Sequence, residues 1–237
     1  MRLAVTRPQA DGERTATTLR ARGHQVLVAP LLRVEPVAAD LGGGWAAVIV
    51  TSANASGAIA GHRARAALIK LPVFAVGRRS ADAARAAGFA NVTSADGDVR
   101  DLVRLIGERH ADASGPLLYL AGEDRAADLT AELAARGIAA EMRIVYRAVT
   151  APYPPALIAA LKAGEIDAVL HFSKRSADNY LAGARQAGLL AQALAPRHVC
   201  LSAQVAEPLG GAGAPQIAIA PRPDEAALIE LLGPLPG

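Results

Sequence analysis

The sequence predicts an α/β protein of two similar lobes, each a parallel sheet covered by helices. Three observations carry this. Short apolar runs alternate with Ala- and Leu-rich amphipathic stretches, which is the pattern of parallel strands buried on both faces. The pattern occurs twice: Leu3-Ala4-Val5-Thr6 pairs with Leu117-Leu118-Tyr119-Leu120, Ala47 to Ser52 with Ala168 to Ser173, Val73 to Gly77 with His198 to Ser202, and Ser94-Ala95-Asp96 with Ala220-Pro221-Arg222. Two further stretches, Val26 to Val37 and Glu141 to Pro152, are mostly extended, too long for one ordinary strand, and punctuated by Pro30, Pro36 and Pro152.

In the first half strands are predicted at residues 3–6, 25–29, 47–51, 73–76 and 91–94, and in the second at 117–120, 140–146, 167–172, 198–201 and 216–220. Helices separate them. Asp11 is expected to cap a helix that carries Ala16, Leu19 and Ala21 and ends at Gly23; its counterpart carries Leu129, Leu133 and Ala134 and ends at Gly137. Ser52 and Ser173 directly follow their strands and are placed to accept from the free N–H groups of the helices that start there. Pro223 and Asp224 open a last helix bearing Leu228, Ile229, Leu231 and Leu232, which Gly233-Pro234 stops. The two long extended stretches lie where the chain would cross between lobes. Paired with each other they would make a two-stranded connector, a hinge beside any site in the cleft.

A chain of 237 residues with 52% hydrophobic and 20% charged residues has room for two cores, and no apolar stretch approaches the length that crosses a bilayer. The start, Met1 to Pro8, lacks the pattern of a signal peptide, so a cytoplasmic protein is expected. One cysteine, Cys200, excludes an internal disulfide framework and sits in an apolar run, where it reads as a small buried hydrophobe. All but three of the 25 Lys and Arg residues are Arg, the side chain that grips planar oxyanions with two bonds. The aromatic fraction of 3% and the lack of a basic cluster with stacking residues argue against a nucleic-acid partner.

In open α/β sheets, ligands bind where the C-terminal ends of strands feed helices. Here those loops share small hydroxyl, amide and Gly residues with an occasional base: Thr6-Arg7, Thr51-Ser52-Ala53-Asn54, Gly77-Arg78-Arg79-Ser80, Gly122-Glu123-Asp124-Arg125, Ser173-Lys174-Arg175-Ser176 and Ser202-Ala203-Gln204. Unpaired N–H groups at helix starts make such loops anion sites, although capping alone explains any one of them. There is no P-loop, no nucleophile elbow, no paired histidine spacing and no dinucleotide fingerprint. His171 reads as a core residue, and Tyr119 and Tyr180 as packing residues. Tyr146 differs because it falls on the second proposed connector; a phenol is protonated at neutral pH and can donate to a departing oxygen, against the plainer reading of a strand-packing tyrosine.

The order of these motifs resembles the uroporphyrinogen-III synthase family over essentially the whole chain. The residues that carry it are Val5-Thr6-Arg7-Pro8, Thr51-Ser52-Ala53-Asn54-Ala55, Ala75-Val76-Gly77 with Ser80, Leu120-Ala121-Gly122, Val145-Tyr146, His171 to Ser176, and Leu201 to Ala206. The resemblance implies two flavodoxin-like parallel-sheet α/β domains joined by a two-stranded β connector. Carried onto this chain, residues 1–34 plus 150–237 form one discontinuous domain, residues 38–145 the other, and residues 35–37 and 146–149 the connectors. It implies ring closure of hydroxymethylbilane, a linear tetrapyrrole, to uroporphyrinogen III with loss of water and inversion of the last pyrrole ring, using no cofactor and no metal.

In that reading Tyr146, which matches the family's tyrosine, is catalytic. Arg7, Thr51, Ser52, Asn54, Gly77, Arg78, Ser80, Gly122, Arg125, Ser173, Lys174, Ser176, Ser202 and Gln204 would bind the substrate's carboxylates. The chain departs from the family pattern at Ala53, where Pro is frequent, at Asn54, where some members have Arg, and at Gln204-Val205, where many have Thr or Ser. The expected partner is the small-molecule substrate, with no nucleic acid and no membrane, in a monomer; transient contact with the preceding enzyme of the pathway is the further partner considered. Two rivals stay open at the level of sequence: a non-catalytic two-lobed binder of an anionic small molecule, and a transferase acting on a nucleotide sugar, which would call for a diphosphate-binding loop.

Overall fold

Eleven strands and eleven helices follow one another along the described residues of the computed structural model, which are 1–110, 115–124 and 129–233. Two units result, one of Met1–Arg33 with Val149–Gly237, the other of Val34–Ala148. In the first unit β1 (Arg2–Val5), β2 (Gln25–Val28), β9 (Ala168–His171), β10 (Arg197–Cys200) and β11 (Ile217–Ile219) form a five-stranded sheet in the order β11-β10-β9-β1-β2. All its pairings are parallel. In the second unit β4 (Ala47–Val50), β5 (Val73–Ala75), β6 (Val92–Ser94), β7 (Leu117–Gly122) and β8 (Ala140–Thr150) are parallel in the order β8-β7-β4-β5-β6, with β3 (Leu32–Pro36) added beside β8.

The two sheets match position for position when the repeated segments are equated. β2-β1-β9-β10-β11 and β8-β7-β4-β5-β6 are one spatial order, and β1 with β7, β9 with β4, β10 with β5 and β11 with β6 are the pairs the sequence pattern gives. Each sheet takes its β-α-β unit from one half of the chain and its other strands from the other half, three in the first unit and four, β3 included, in the second. The passages run through β3 and β8. Backbone bonds from Val37 N–H to the Val145 carbonyl (2.8 Å) and from Ala151 N–H to the Leu31 carbonyl (3.0 Å) show that these strands pair antiparallel. The expected extended stretch Val26 to Val37 is not one strand: it turns at Ala29-Pro30-Leu31, because proline has no N–H to give to a ladder, and β2 and β3 therefore join different sheets.

Strand periodicity explains the cores. In the first unit Ala4, Val169 and Cys200 face one apolar cluster while Leu3, Val5, Ala168, Leu170 and Val199 face another. In the second unit Val48, Val50, Leu118 and Leu120 face one cluster, and Ala47, Ile49, Leu117 and Tyr119 the other. Helices cover both faces, so the central strands are apolar on both sides, and each fully buried Leu or Ile contributes about 2 kcal/mol. Cys200 is one of these buried residues, and burial pushes its thiol pKa up to about 12. Among the described residues no helix is long and apolar enough to cross a membrane.

Helix ends follow the sequence signals with one exception. Ser52 accepts from Asn54 N–H to cap α2 (Ala53–Ala58), Ser173 from Ser176 N–H to cap α8 (Lys174–Gln186), and Asp224 from Ala227 N–H to cap α11 (Glu225–Glu230). Asp11 does not cap α1 (Gln9–Ala21): the helix starts after Pro8, and Asp11 lies in the first turn, where it meets the helix dipole and pairs with Arg14 at 2.8 Å. Gly12 in the same turn is packed so closely on β2 that a Cβ would lie 2.7 Å from Val28 Cγ1.

One polar pair sits inside the first unit. His171 Nε2 and His198 Nδ1 are 3.1 Å apart, both side chains are fully buried, and the Tyr180 ring meets each edge-on. Burial penalises the charged imidazolium, which lowers the pKa of His171 well below its ordinary value and that of His198 to about 4. Both are therefore neutral in the folded protein, whereas in the unfolded chain they take up protons as pH falls through about 6.5. Stability is present above that pH and is lost below it, by roughly 2 kcal/mol for His198 between pH 7.5 and pH 5, and His171 adds to the loss in the same direction. Urea denaturation across this range is expected to show the loss, and a His198→Gln variant to have a shallower pH dependence; an unchanged slope would refute the neutral pair.

Candidate active site

The C-terminal ends of the parallel strands gather the predicted loops separately in each unit. In the second unit the strand order reverses between β4 and β7, the place where open α/β sheets bind ligands. Thr51 and Ser52 leave β4 there, and Gly122 ends β7. The Thr51 hydroxyl is 2.9 Å from the Tyr119 hydroxyl, so Tyr119 is more than a packing residue: its ring belongs to the core and its oxygen holds Thr51. Ser52 Oγ accepts the Asn54 N–H at 3.2 Å, and the Asn54 side chain is half-buried in the first turn of α2. On the next loop α4 (Arg78–Ala86) starts from Gly77 with no side-chain cap bond, and a Cβ at Gly77 would meet nothing within 4 Å. Arg78 is 84% exposed and pairs at 3.3 Å with Asp96, which leaves its guanidinium close to water.

Tyr146 lies on β8, beside β7. Its ring is half-buried against the cluster that includes Val48, Val50 and Val145, and its carbonyl accepts the Glu123 N–H at 3.0 Å. Its hydroxyl has no hydrogen-bond partner among the described residues. Gly122 lies directly beneath, with an imagined Cβ 2.5 Å from Tyr146 Cζ and 2.7 Å from its Oη. Thr51, Ser52, Gly122 and Tyr146 thus share one end of one sheet. Arg125 lies outside the described residues.

In the first unit the strand order reverses between β1 and β9, and the loops after them carry Arg7 and Ser173. Arg7, expected to meet substrate, is instead held by the protein. Its Nη1 is 2.9 Å from Glu225 and 3.1 Å from Thr15 Oγ1, its guanidinium stacks 4.2 Å over the Phe172 ring, and its side chain is only 14% exposed. Glu225 also pairs with Arg14 at 3.3 Å. Burial alone would raise the Glu225 pKa, but the Thr15 hydrogen bond and the two guanidinium groups outweigh it and hold the carboxyl below its ordinary value.

Two hydroxyls are also turned inward. Ser80 and Ser176 are buried, at 5% and 2% exposure, because each lies on the face of its helix that packs inward. The Ser176 hydroxyl accepts from that of Ser173 at 3.0 Å. Lys174 reaches Glu207 at 2.6 Å and remains half-exposed. Ser202 accepts from Val205 N–H to cap α10 (Ala203–Gly211), and Gln204 is exposed in that first turn. Among the described residues no group of three or more His, Cys, Asp or Glu is placed to hold a metal ion.

These features, a hydroxyl- and amide-lined strand end with a phenol that has no partner among the described residues, occur in a chain whose residues 13–230 match the family model HEM4, uroporphyrinogen-III synthase HemD. The chain belongs to the uroporphyrinogen-III synthase family. It is therefore an enzyme, a cyclising lyase of tetrapyrrole biosynthesis. The fold is that of the uroporphyrinogen-III synthetase from Helicobacter pylori 26695, with 18% identity over 98% of this chain and 98% of that chain and a TM-score of 0.64. A mutant uroporphyrinogen III synthase from the extremely thermophilic bacterium Thermus thermophilus aligns over 98% of this chain and 96% of that chain, with 19% identity and a TM-score of 0.47. No curated protein matches the sequence.

Assigning Arg7 to the fold has a consequence that differs from a ligand contact. Arg7→Ala leaves Glu225 part-buried with Arg14 as its only guanidinium beside the Thr15 hydroxyl and uncovers Phe172, and a loss of about 2 kcal/mol of stability is expected. The urea midpoint reads this; an unchanged midpoint with weakened substrate binding would return Arg7 to the binding surface.

Proposed function

We propose that Tyr146 is the proton donor in the closure of hydroxymethylbilane to uroporphyrinogen III by this synthase. The terminal hydroxymethyl C–O bond breaks as the phenol protonates the departing oxygen, water leaves, and an electrophilic azafulvenium remains; the proton released from the attacking ring when closure is complete restores the phenol. The distal pyrrole attacks through a substituted carbon to give a spirocyclic intermediate, which reopens and closes with that ring inverted. Without assistance the chain closes uninverted. The protein's task is therefore to hold the substrate folded so that the inverted path is faster.

The observation that supports the donor role is the position of the Tyr146 hydroxyl, free of any described protein partner, at the strand end that also carries Thr51 and Ser52. A hydroxyl already bonded to the protein would have to break that bond before serving a substrate; this one does not. The substrate carries an acetate and a propionate on each ring, so its recognition is a matter of many carboxylates. Thr51, Ser52, Asn54, Gly77 and Arg78 of the second unit, with Ser173, Lys174, Ser202 and Gln204 of the first, offer hydroxyl, amide, helix-start N–H and cationic donors for them. No single residue of this set is indispensable, because a carboxylate near a helix start is held by several donors at once. We further infer that the enzyme works as a monomer in the cytoplasm and meets the preceding enzyme of the pathway transiently.

The test supplies freshly generated hydroxymethylbilane, oxidises the products and resolves the porphyrin isomers. The unaltered protein is expected to give isomer III, and Tyr146→Phe to lower turnover about a hundredfold, the usual scale of one positioned acid. Full turnover by Tyr146→Phe would remove the donor role.

A further inference from the structure

Strand alternation alone would point Tyr146 away from the place it occupies. Neighbouring residues of a strand face opposite sides of the sheet, yet Val145 and Tyr146 both pack against the same apolar cluster. The register explains this. Ala121 pairs with Ile144, but Gly122 pairs with Tyr146, so the pairing skips Val145 and one extra residue stands on β8. That is a β-bulge, a local insertion that re-aims the side chain following it. The Glu123 N–H bond to the Tyr146 carbonyl at 3.0 Å holds the strand beyond the bulge.

The re-aimed ring then needs space at its new position. It lies across the Cα of Gly122, where a Cβ would come 2.5 Å from Cζ, 2.7 Å from Cε2 and 2.7 Å from Oη, closer than real Cβ contacts come. Gly122 is itself buried at the end of β7, and its backbone conformation is not among the positive-φ glycines. The absence of a side chain, and not conformational freedom, is thus what the position requires. At Gly77, in the neighbouring loop, a Cβ would meet nothing, so of these two strand-end glycines only the one beneath the ring requires a missing side chain.

We propose that Gly122 is a positioning residue: together with the bulge at Val145 it seats the Tyr146 ring at the strand end and so fixes where its hydroxyl is presented. This assignment rests on the donor role of Tyr146. It differs from a substrate contact at Gly122, because the glycine acts through the tyrosine, and it makes the two residues one unit in catalysis.

The experiment is a double-mutant cycle on the full chain, with Gly122→Ala and Tyr146→Phe singly and together, assayed for kcat, KM and product isomers. Phenylalanine keeps Cζ and Cε2, which a Cβ at Gly122 would meet, and removes only Oη, so the ring clash is common to both backgrounds and the difference between them reports the hydroxyl. Gly122→Ala is expected to lower kcat about tenfold or more with KM within about twofold when Tyr146 is present, and to change kcat less than about twofold when it is Phe. An equal loss in both backgrounds would make Gly122 a packing residue and overturn the proposal. Impaired Tyr146→Phe with an unimpaired Gly122→Ala would overturn it while leaving the donor role standing. Fully active Tyr146→Phe would overturn the donor role and the positioning with it. Should Gly122→Ala not fold, the unaltered protein carries the test by NMR: nuclear Overhauser contacts between the Gly122 α protons and the Tyr146 ring protons are expected, and their absence overturns the placement.

Discussion

The antiparallel pairing of β3 with β8 carries both passages of the chain between its two units, and the make-up of each unit depends on it. Because the chain leaves the first unit after one β-α-β segment and returns only at the end of β8, each sheet is assembled from both halves of the sequence. A duplicated sequence cut at its middle would give two sheets, each contiguous. Here β1 must find β9, and a bond such as Arg2 N–H to the Asp167 carboxylate at 2.6 Å closes a separation of 165 residues. Contacts of that range cost loop-closure entropy before they return any burial, so the first unit cannot complete its core until the second half of the chain is present.

This arrangement explains what sequence patterning could and could not reveal. Strand positions were legible because β4, β7 and β9 are covered on both faces and read as unbroken apolar runs, and helix starts at Ser52, Ser173 and Asp224 were legible because capping is local chemistry. Local signals fail where the deciding partner is remote. Arg7 looked like an anion ligand beside a helix start, yet Glu225 meets it from 218 residues away. Ser80 and Ser176 share the vocabulary of the exposed loops, but each is the third residue of its helix and turns inward. The break between β2 and β3 was signalled by Pro30, and only the sheet topology shows that the two strands part company there.

The first unit shows how a buried polar pair is tolerated when its charge is given up. His171 and His198 lie on the same face of adjacent strands, where Tyr180 and the apolar residues around it leave no room for a hydration shell. One hydrogen bond between two neutral rings satisfies half of their capacity, and the outer nitrogens, His171 Nδ1 and His198 Nε2, find no protein partner. Burial penalises an imidazolium there by more than the Leu194 and Ala193 backbone near His198 favours it, so the packing keeps the pair neutral. The pair belongs to the core of the fold, as the apolar setting of His171 in the sequence suggested, and it stands apart from the chemistry assigned to Tyr146.

The candidate site divides into parts with different demands on side-chain identity. In the proposed reading, carboxylates would be held by helix-start N–H groups and capping hydroxyls, which depend on backbone geometry that many sequences supply, so Ala53, Asn54 and Gln204 remain compatible with that role. The phenol is another matter. Its place depends on one extra residue in β8 and on the missing side chain of Gly122, and neither can be supplied by a neighbouring loop. With Tyr146 proposed as the donor, one group must act at one place, while the remainder of the substrate need only be kept folded. Diffuse, substitutable contacts suit the second requirement, and a residue locked by backbone register suits the first.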